Sequence, residues 1–387
     1  MPIINRVAEF HPEIAEWRRD IHQNPELLYD VQRTAGRVEE LLKSFGVDEV
    51  VTGIGRTGVV GVIKGRGPGK TIGLRADMDA LPIVENTGKA YTSKVPGKMH
   101  ACGHDGHTAM LLGAAKHLAE TRSFDGTAVV IFQPAEEGGA GGLAMVEDGL
   151  MDRFGIDEVY GMHNWPGVEA GSFRIREGGI MAASDKFTIE IEGSGGHAAM
   201  PHNAVDPVVV AGHLITALQT IVSREVDPTR SAVITVTMVR AGEAFNIIPR
   251  NVTLTGTARS LDEDVRNLIE ARLHSLSTKL CESFGATAKV RYDRGYPVTV
   301  NSSRETAIAA DVAREISGDD RVDDKAPPSL GGEDFSFMLQ ARPGAFIFLG
   351  NGDSSELHSD DYDFNDDIIP VGVSYWVRLV ERAARAE

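Results

Sequence analysis

The stretch Thr127-Ala128-Val129-Val130-Ile131-Phe132-Gln133-Pro134-Ala135-Glu136-Glu137 decides the fold. Residues 127–132 form an apolar, β-branched run with no polar alternation. Such a run reads as a strand buried on both faces, which suits a parallel sheet with helices on either side. Directly behind it stand two adjacent carboxylates, Glu136 and Glu137.

Working outward, strand and helix signals alternate. Residues 6–23 and 31–45 predict helices, 59–64 and 71–75 strands, 104–120 a helix, 138–148 a further helix and 159–162 a short strand. This βαβ order predicts a mostly parallel sheet covered by helices. The middle of the chain changes character. Residues 186–192 alternate as a half-exposed strand. Residues 204–222 predict a long helix with Asn203 as N-cap and Pro207 in its first turn. Residues 232–239 and 252–259 predict strands, 262–284 a helix and 288–294 a closing strand. The order β-α-β-β-α-β is the ferredoxin-like signature. We therefore expect an α/β domain over 1–182 and 294–387, with an α+β domain over 183–293 inserted into it. The last part returns to α/β: a helix over 306–316, a charged loop over 319–325, a strand over 345–349 and a terminal helix over 369–384.

Composition narrows the function classes. The 387 residues are 42% hydrophobic and 25% charged, as in an ordinary globular protein. The formal net charge of −17 argues against nucleic acid or an anionic membrane surface as partner, since phosphate neutralisation needs an excess of Lys and Arg. No apolar run reaches the ~18 residues of a membrane span. The first twenty residues mix Glu9, Glu13, Glu16, Arg18 and Arg19 into an apolar pattern, which reads as an amphipathic helix and not as a signal peptide. Cys102 and Cys281 are the only cysteines. Two distant thiols make no disulfide framework and point to a reducing, cytoplasmic compartment.

Residues able to ligate a metal follow several of these strands: Asp77-Met78-Asp79 after 71–75, Glu136-Glu137 after 127–132, His163 after 159–162 and His358 after 345–349. The segment Met99-His100-Ala101-Cys102-Gly103-His104-Asp105-Gly106-His107 leads into the 104–120 helix. In an open α/β sheet, ligands bind beyond the C-terminal strand ends, so these residues can converge. Imidazole, carboxylate and thiolate together suit zinc, manganese, cobalt or nickel, whereas calcium or magnesium would want oxygen alone. In the tandem pair, one carboxylate can bind metal while its neighbour takes a proton from an activated water. Each residue also has an ordinary reading: a solvated loop for Glu136-Glu137, a core histidine for His163, a small buried hydrophobe for Cys102, a helix cap for Asp105, and structural roles for His107 and His117.

Three motifs fail. Gly53-Ile54-Gly55-Arg56-Thr57-Gly58 has dinucleotide-binding spacing, but a β-like run follows it where a helix N-terminus is required; a loop or hairpin is expected. Asp361-Tyr362-Asp363-Phe364-Asn365 resembles a calcium loop, but Asp366 stands where its glycine belongs and Gly372 where its glutamate belongs. No His-Glu-x-x-His occurs.

Longer motifs carry a family resemblance. Residues 74–82 (Leu-Arg-Ala-Asp-Met-Asp-Ala-Leu-Pro), 99–107, 132–138, 196–202 (Gly-His-Ala-Ala-Met-Pro-His), 245–249 (Phe-Asn-Ile-Ile-Pro) and 331–335 (Gly-Gly-Glu-Asp-Phe) resemble the M20 metallopeptidase family, and most closely its amidohydrolase branch. The resemblance spans nearly the whole chain, in order. It implies a hydrolase of linear amide bonds that cleaves N-acyl-L-amino acids, hippurate-like or N-acetylated, to a carboxylate and a free amino acid. It implies two divalent metal ions per subunit (zinc, manganese, cobalt or nickel), with Cys102, His104, Glu137, His163 and His358 as ligands and Cys102 as bridge. Glu136 matches the general base and Asp79 a carboxylate that orients a ligand. Asp77 stands where other branches carry a ligand histidine, and Cys102 replaces their bridging aspartate.

The inserted domain resembles the family's lid and dimerisation domain, which implies a homodimer or a dimer of dimers. His197 matches a histidine that reaches the partner subunit's site and steadies the oxyanion. Asn246 and Arg259 match residues that hold the substrate carboxylate. Gly331 and Gly332 match a close approach of backbone to substrate. Alternatives are a dipeptidase or aminopeptidase of the same family, and a non-catalytic metal-binding protein. The acyl group and the metal stay open at this point.

Overall fold

Four strands, each with a buried stretch, build the middle of the main sheet. The computed structural model describes residues 3–385. Gly67–Asp77, Asp125–Gln133, Glu158–Pro166 and Gly344–Gly352 run parallel side by side, and their C-terminal halves are buried. Full burial of each valine or isoleucine contributes about 1.5–3 kcal/mol, so these strands anchor the core. Glu49–Ile54 and Gly58–Lys64 add an antiparallel hairpin at one edge, and the two-residue strands Phe173–Arg174 and Val322–Asp323 lie at the other. The glycine-rich 53–58 stretch thus spans the turn of a hairpin, at Gly55-Arg56-Thr57, as expected for it.

Helices Asn5–Gln23, Gln32–Ser44, His104–Thr121, Ser303–Ser317 and Ile369–Ala383 supply much of the remaining core of this unit. The parallel register pairs Asp77 with Gln133 and His163 with Phe348. That alignment brings the chemistry-bearing strand ends to one edge, as the sequence leads one to expect.

The chain divides into two compact units. One comprises Met1–Ile180, Val300–Pro327 and Asp334–Glu387; the other comprises Met181–Thr299 and Pro328–Glu333. The second therefore starts two residues earlier than the expected 183–293 segment, ends six later, and takes in a short return segment. Its sheet is antiparallel, in the order Ala232–Ala241, Asn251–Ser260, Ala183–Glu192, Thr287–Tyr296. With helices Pro207–Thr220 and Glu263–Ser283 this is the 4-1-3-2 order of a ferredoxin-like fold. Phe187, Ile189, Ile191, Leu214, Leu254 and Leu273 lie in its separate core.

Some local expectations fail. The helix predicted over 204–222 begins at Pro207, and its cap is Asp206, whose side chain accepts the Val208 N–H. Pro201–Asn203 forms a 3-10 turn instead, so Asn203 caps nothing. Proline at the first helical position explains the later start, because its missing N–H has no helical partner there. The 19-residue stretch Pro207–Glu225 is long and apolar enough to cross a membrane by composition. Its Val210, Ala211, Leu214 and Leu218 are instead buried in the core of the second unit. The helix predicted from 138 begins at Gly141, because residues 138–140 belong to the tandem-glutamate loop.

Candidate metal centre

Backbone ties explain how residues far apart in sequence meet. Met99 and Leu81 exchange N–H···O bonds of 2.9 and 3.0 Å, which holds the cysteine-bearing loop against the end of the Gly67–Asp77 strand. Ala101 O accepts the His358 N–H at 2.7 Å, and this delivers His358 beside Cys102. Between Cys102 and His104, Gly103 takes φ +87; a Cβ there would lie 2.2 Å from Asn164 Oδ1. Only glycine fits both demands.

The ligating atoms of Cys102, His104 and His163 lie within 4.8 Å of one another. The same holds for Cys102, Glu137 and His358, and for His104, Glu136 and Glu137. Cys102 thus belongs to two triads. All five residues that the resemblance implied as ligands meet here, with Glu136 among them. His163 lies within its strand, not after it as the sequence suggested, because the strand runs on to Pro166.

The second nitrogen of each buried histidine sets which atom faces the cluster. His104 Nδ1 donates to Asp79 O at 2.8 Å, and His163 Nδ1 donates to Asn164 O at 2.6 Å. Their Nε2 atoms are left as electron-pair donors, the arrangement that metal-binding histidines need. His163 Nε2 lies 3.4 Å from Cys102 Sγ, and His358 Nε2 lies 3.3 Å from Glu137 Oε1. His104 Nε2 is buried without a hydrogen-bond partner, and buried Glu137 Oε1 has no well-formed hydrogen bond beyond the 3.3 Å approach of His358 Nε2. Orphaned buried polar atoms are costly, and a divalent cation would satisfy both. The donor set therefore fits a metal centre.

The electrostatics agree. Burial, together with the charges of Glu137, Glu136 and Asp77, pushes the Cys102 thiol well above its ordinary value. Burial opposes a charged His104, yet Asp77, Asp79 and Glu137 outweigh it and lift the group to about 10, so that without a cation a proton takes the Nε2 lone pair that a metal would use. Burial and the neighbouring histidines hold His163 well below the usual range. A site this rich in anionic donors calls for positive charge.

Supporting residues surround the cluster. The Asp79 carboxylate accepts the Glu136 N–H at 3.0 Å and the Glu137 N–H at 3.1 Å. Glu136 is only 7% exposed, so the tandem pair is not a solvated loop. Asp77 accepts from Arg75 Nη1 and from His107 Nδ1, both at 2.7 Å. Arg75, fully buried, also donates to Asp334 and Gln133, and Asp334 accepts the Gly142 N–H at 2.8 Å. A buried guanidinium is tolerated only with such partners. Sequence reasoning missed Arg75, Asn164 and Asp334 and left His107 without a partner. The Arg75-x-Asp77 spacing, which puts both side chains on one face of a strand, was the available signal. Asp105 is no helix cap: its carboxylate accepts from His22 Nδ1 at 2.8 Å.

The remaining candidates lie in the second unit. His197 and Ile247 pair on a two-stranded ribbon, and Ala198 N donates to Asn246 O at 3.1 Å, so His197 and Asn246 are neighbours. The exposed His197 accepts the Ala199 N–H on Nδ1, which leaves Nε2–H outward as a donor. Arg259 is half-buried on Asn251–Ser260 and donates to Thr257 Oγ1 and Ala258 O; no carboxylate among the described residues lies within 4.0 Å of it. Gly332 packs so that a Cβ would lie 2.9 Å from Ser184 Cβ, and Gly331 so that one would lie 3.1 Å from Met181 Cε.

A parallel α/β sheet whose strand ends gather such a donor set around a buried glutamate defines a metal-dependent hydrolase. Residues 73–382 match the model of Peptidase family M20/M25/M40. The chain is 42% identical over 379 residues to the hippurate hydrolase of Campylobacter jejuni, covering 98% of each chain. It is 42% identical over 369 residues to the N-acetyl-L-cysteine deacetylase of Bacillus subtilis, covering 95% of this chain and 86% of that one. Among solved structures, the Bacillus subtilis YXEP protein, a dinuclear metal binding peptidase of the M20 family, superposes with a TM-score of 0.86 at 32% identity, covering 96% of this chain and 98% of that one. The chain belongs to the M20/M25/M40 peptidase family and is a metal-dependent hydrolase of amide bonds.

Proposed function

We propose that this protein hydrolyses N-acyl-L-amino acids to a carboxylate and a free amino acid, with two divalent cations held by Cys102, His104, Glu137, His163 and His358. One observation carries the reading: Cys102 is common to two ligand triads that also abut the buried Glu136. The names of the hippurate hydrolase and deacetylase relatives support this substrate class. A thiol in the set favours softer ions, among zinc, manganese, cobalt and nickel.

Bound cations would polarise the scissile carbonyl and ease deprotonation of the attacking water. The chain's own groups do the rest. Arg259, a guanidinium turned to neutral oxygens, suits bidentate capture of the substrate carboxylate, with Asn246 beside the same ribbon as His197. Glu136 takes the proton of the water and returns it to the leaving nitrogen. His197, with Nε2–H outward, donates to the developing oxyanion, an electrostatic contribution of about 3–4 kcal/mol in comparable sites. In keeping with the family resemblance, that histidine serves a second copy of the chain, so a homodimer is the working assembly and the second unit its lid. Both cysteines are unpaired and buried, which supports a reducing, cytoplasmic compartment.

The test is release of free amino acid from N-benzoylglycine and a set of N-acetyl amino acids, with metal-stripped protein reconstituted separately with zinc, manganese, cobalt and nickel. Turnover with at least one ion is expected. Silence across every combination refutes the reading.

A further inference from the structure

The segment 26–29 is gripped from several sides. The Glu26 carboxylate accepts the N–H groups of Arg33 at 3.1 Å and Thr34 at 2.8 Å, so it caps helix Gln32–Ser44, whose own N-cap residue offers no side-chain bond. Glu26 O accepts the Ala80 N–H at 2.8 Å, and Leu27 bridges Ala80, one residue beyond Asp79. Leu28 takes φ +50, a conformation that disfavours a bulky side chain and persists only where the surroundings impose it. Next comes Tyr29, whose hydroxyl donates to Gly139 O at 2.7 Å. Thr57 Oγ1 donates to Tyr29 O at 3.0 Å, and the Arg56 guanidinium lies 4.1 Å over the Tyr29 ring.

Gly139 belongs to the loop that carries Glu136 and Glu137. That loop is conformationally demanding: Ala135, Gly138 and Ala140 have φ of 57, 96 and 54°. Asp79 holds its upstream limb through two N–H groups. Tyr29 holds its downstream limb.

We infer that Tyr29 is a positioning residue for the hydrolytic reaction, its hydroxyl fixing the downstream limb of the loop so that the Glu136 carboxylate keeps its working position. The inference rests on the reading of Glu136 as general base. Rigid support from elements outside the site is what precise placement of a catalytic group requires, and a misplacement of about 1 Å can cost a hundredfold in rate.

Tyr29→Phe removes the hydroxyl and keeps the ring that Arg56 and Gly139 pack on. The experiment compares it with the unaltered enzyme, both metal-loaded, on N-benzoylglycine and N-acetyl-L-alanine, and measures kcat, KM, metal per chain and melting temperature. A fall in kcat of roughly ten- to a hundredfold is expected, with KM, metal content and melting temperature held. Unchanged kcat overturns the inference. A fall in activity that merely follows lost metal or lost fold also overturns it, since it would mark a structural role. If the unaltered enzyme cleaves neither substrate with any of the four ions, the proposed activity falls and this inference with it; an active parent with an indifferent Tyr29→Phe refutes Tyr29 alone.

Discussion

Cys102 Sγ lies 3.4 Å from His163 Nε2, although 61 residues separate them in sequence. The histidine's other nitrogen is already committed to Asn164 O, so the pair presents a thiol and an imidazole lone pair to one point. With Glu137, His104 and His358 converging on the same thiol, the arrangement suits metal ligation.

Replacement of this thiol therefore tests the centre directly. Cys102→Ala is expected to drop bound metal below two ions per chain and to lower turnover by more than about a hundredfold. Cys102→Asp keeps an anionic donor at this position and is expected to retain metal while shifting preference toward harder ions such as manganese. Elemental analysis alongside kinetics reads both; equal metal content in Cys102→Ala and the parent contradicts the assignment.

Glu136 differs from its neighbour in what its loss should do. Glu136→Gln removes the proton acceptor but no proposed ligand. Turnover is expected to fall by about 10²–10⁴-fold with metal stoichiometry unchanged. Loss of metal in this variant would make Glu136 a ligand instead.

The Asp79 carboxylate touches neither glutamate side chain's proposed chemistry directly, yet it accepts the backbone N–H of both Glu136 and Glu137. Asp79→Ala leaves two N–H groups beside a buried carboxylate without that acceptor. A loss of about 2–5 kcal/mol in unfolding free energy is expected, together with loss of turnover. Denaturant titration measures the first, and a stability equal to the parent's argues against the clamp.

The acid–His22–acid arrangement beneath the helix that carries His104 gives a pH prediction. Burial disfavours a charged His22, but its bonds to Asp105 and Glu85 prevail and raise it from 6.5 to about 9. A raised folded-state value means a contribution that is complete below 6.5 and is lost as pH climbs through 9. That rise corresponds to about 3 kcal/mol. In His22→Gln the decline in stability between these pH values should flatten; superimposable profiles for parent and variant would show that His22 is not the group responsible.

Much of this was legible in the chain itself. The apolar run at 127–132 and the alternation around it fixed a parallel sheet, because strands buried on both faces must be apolar throughout. The β-α-β-β-α-β order specified the second unit's fold, and the family resemblance carried by motifs such as 99–107 and 132–138 pointed to the five residues that meet in the cluster. Local signals decided these features, since hydrophobic period and residue chemistry are properties of sequence. Tertiary structure alone decided the rest. Nothing local tells that Arg75 is buried between Asp77, Gln133 and Asp334, 259 residues away in the last case, and Asp105 reads as a cap until His22, 83 residues away, takes its carboxylate. Which partner a buried charge finds depends on what long-range packing brings within hydrogen-bonding distance, and no local pattern encodes that distance.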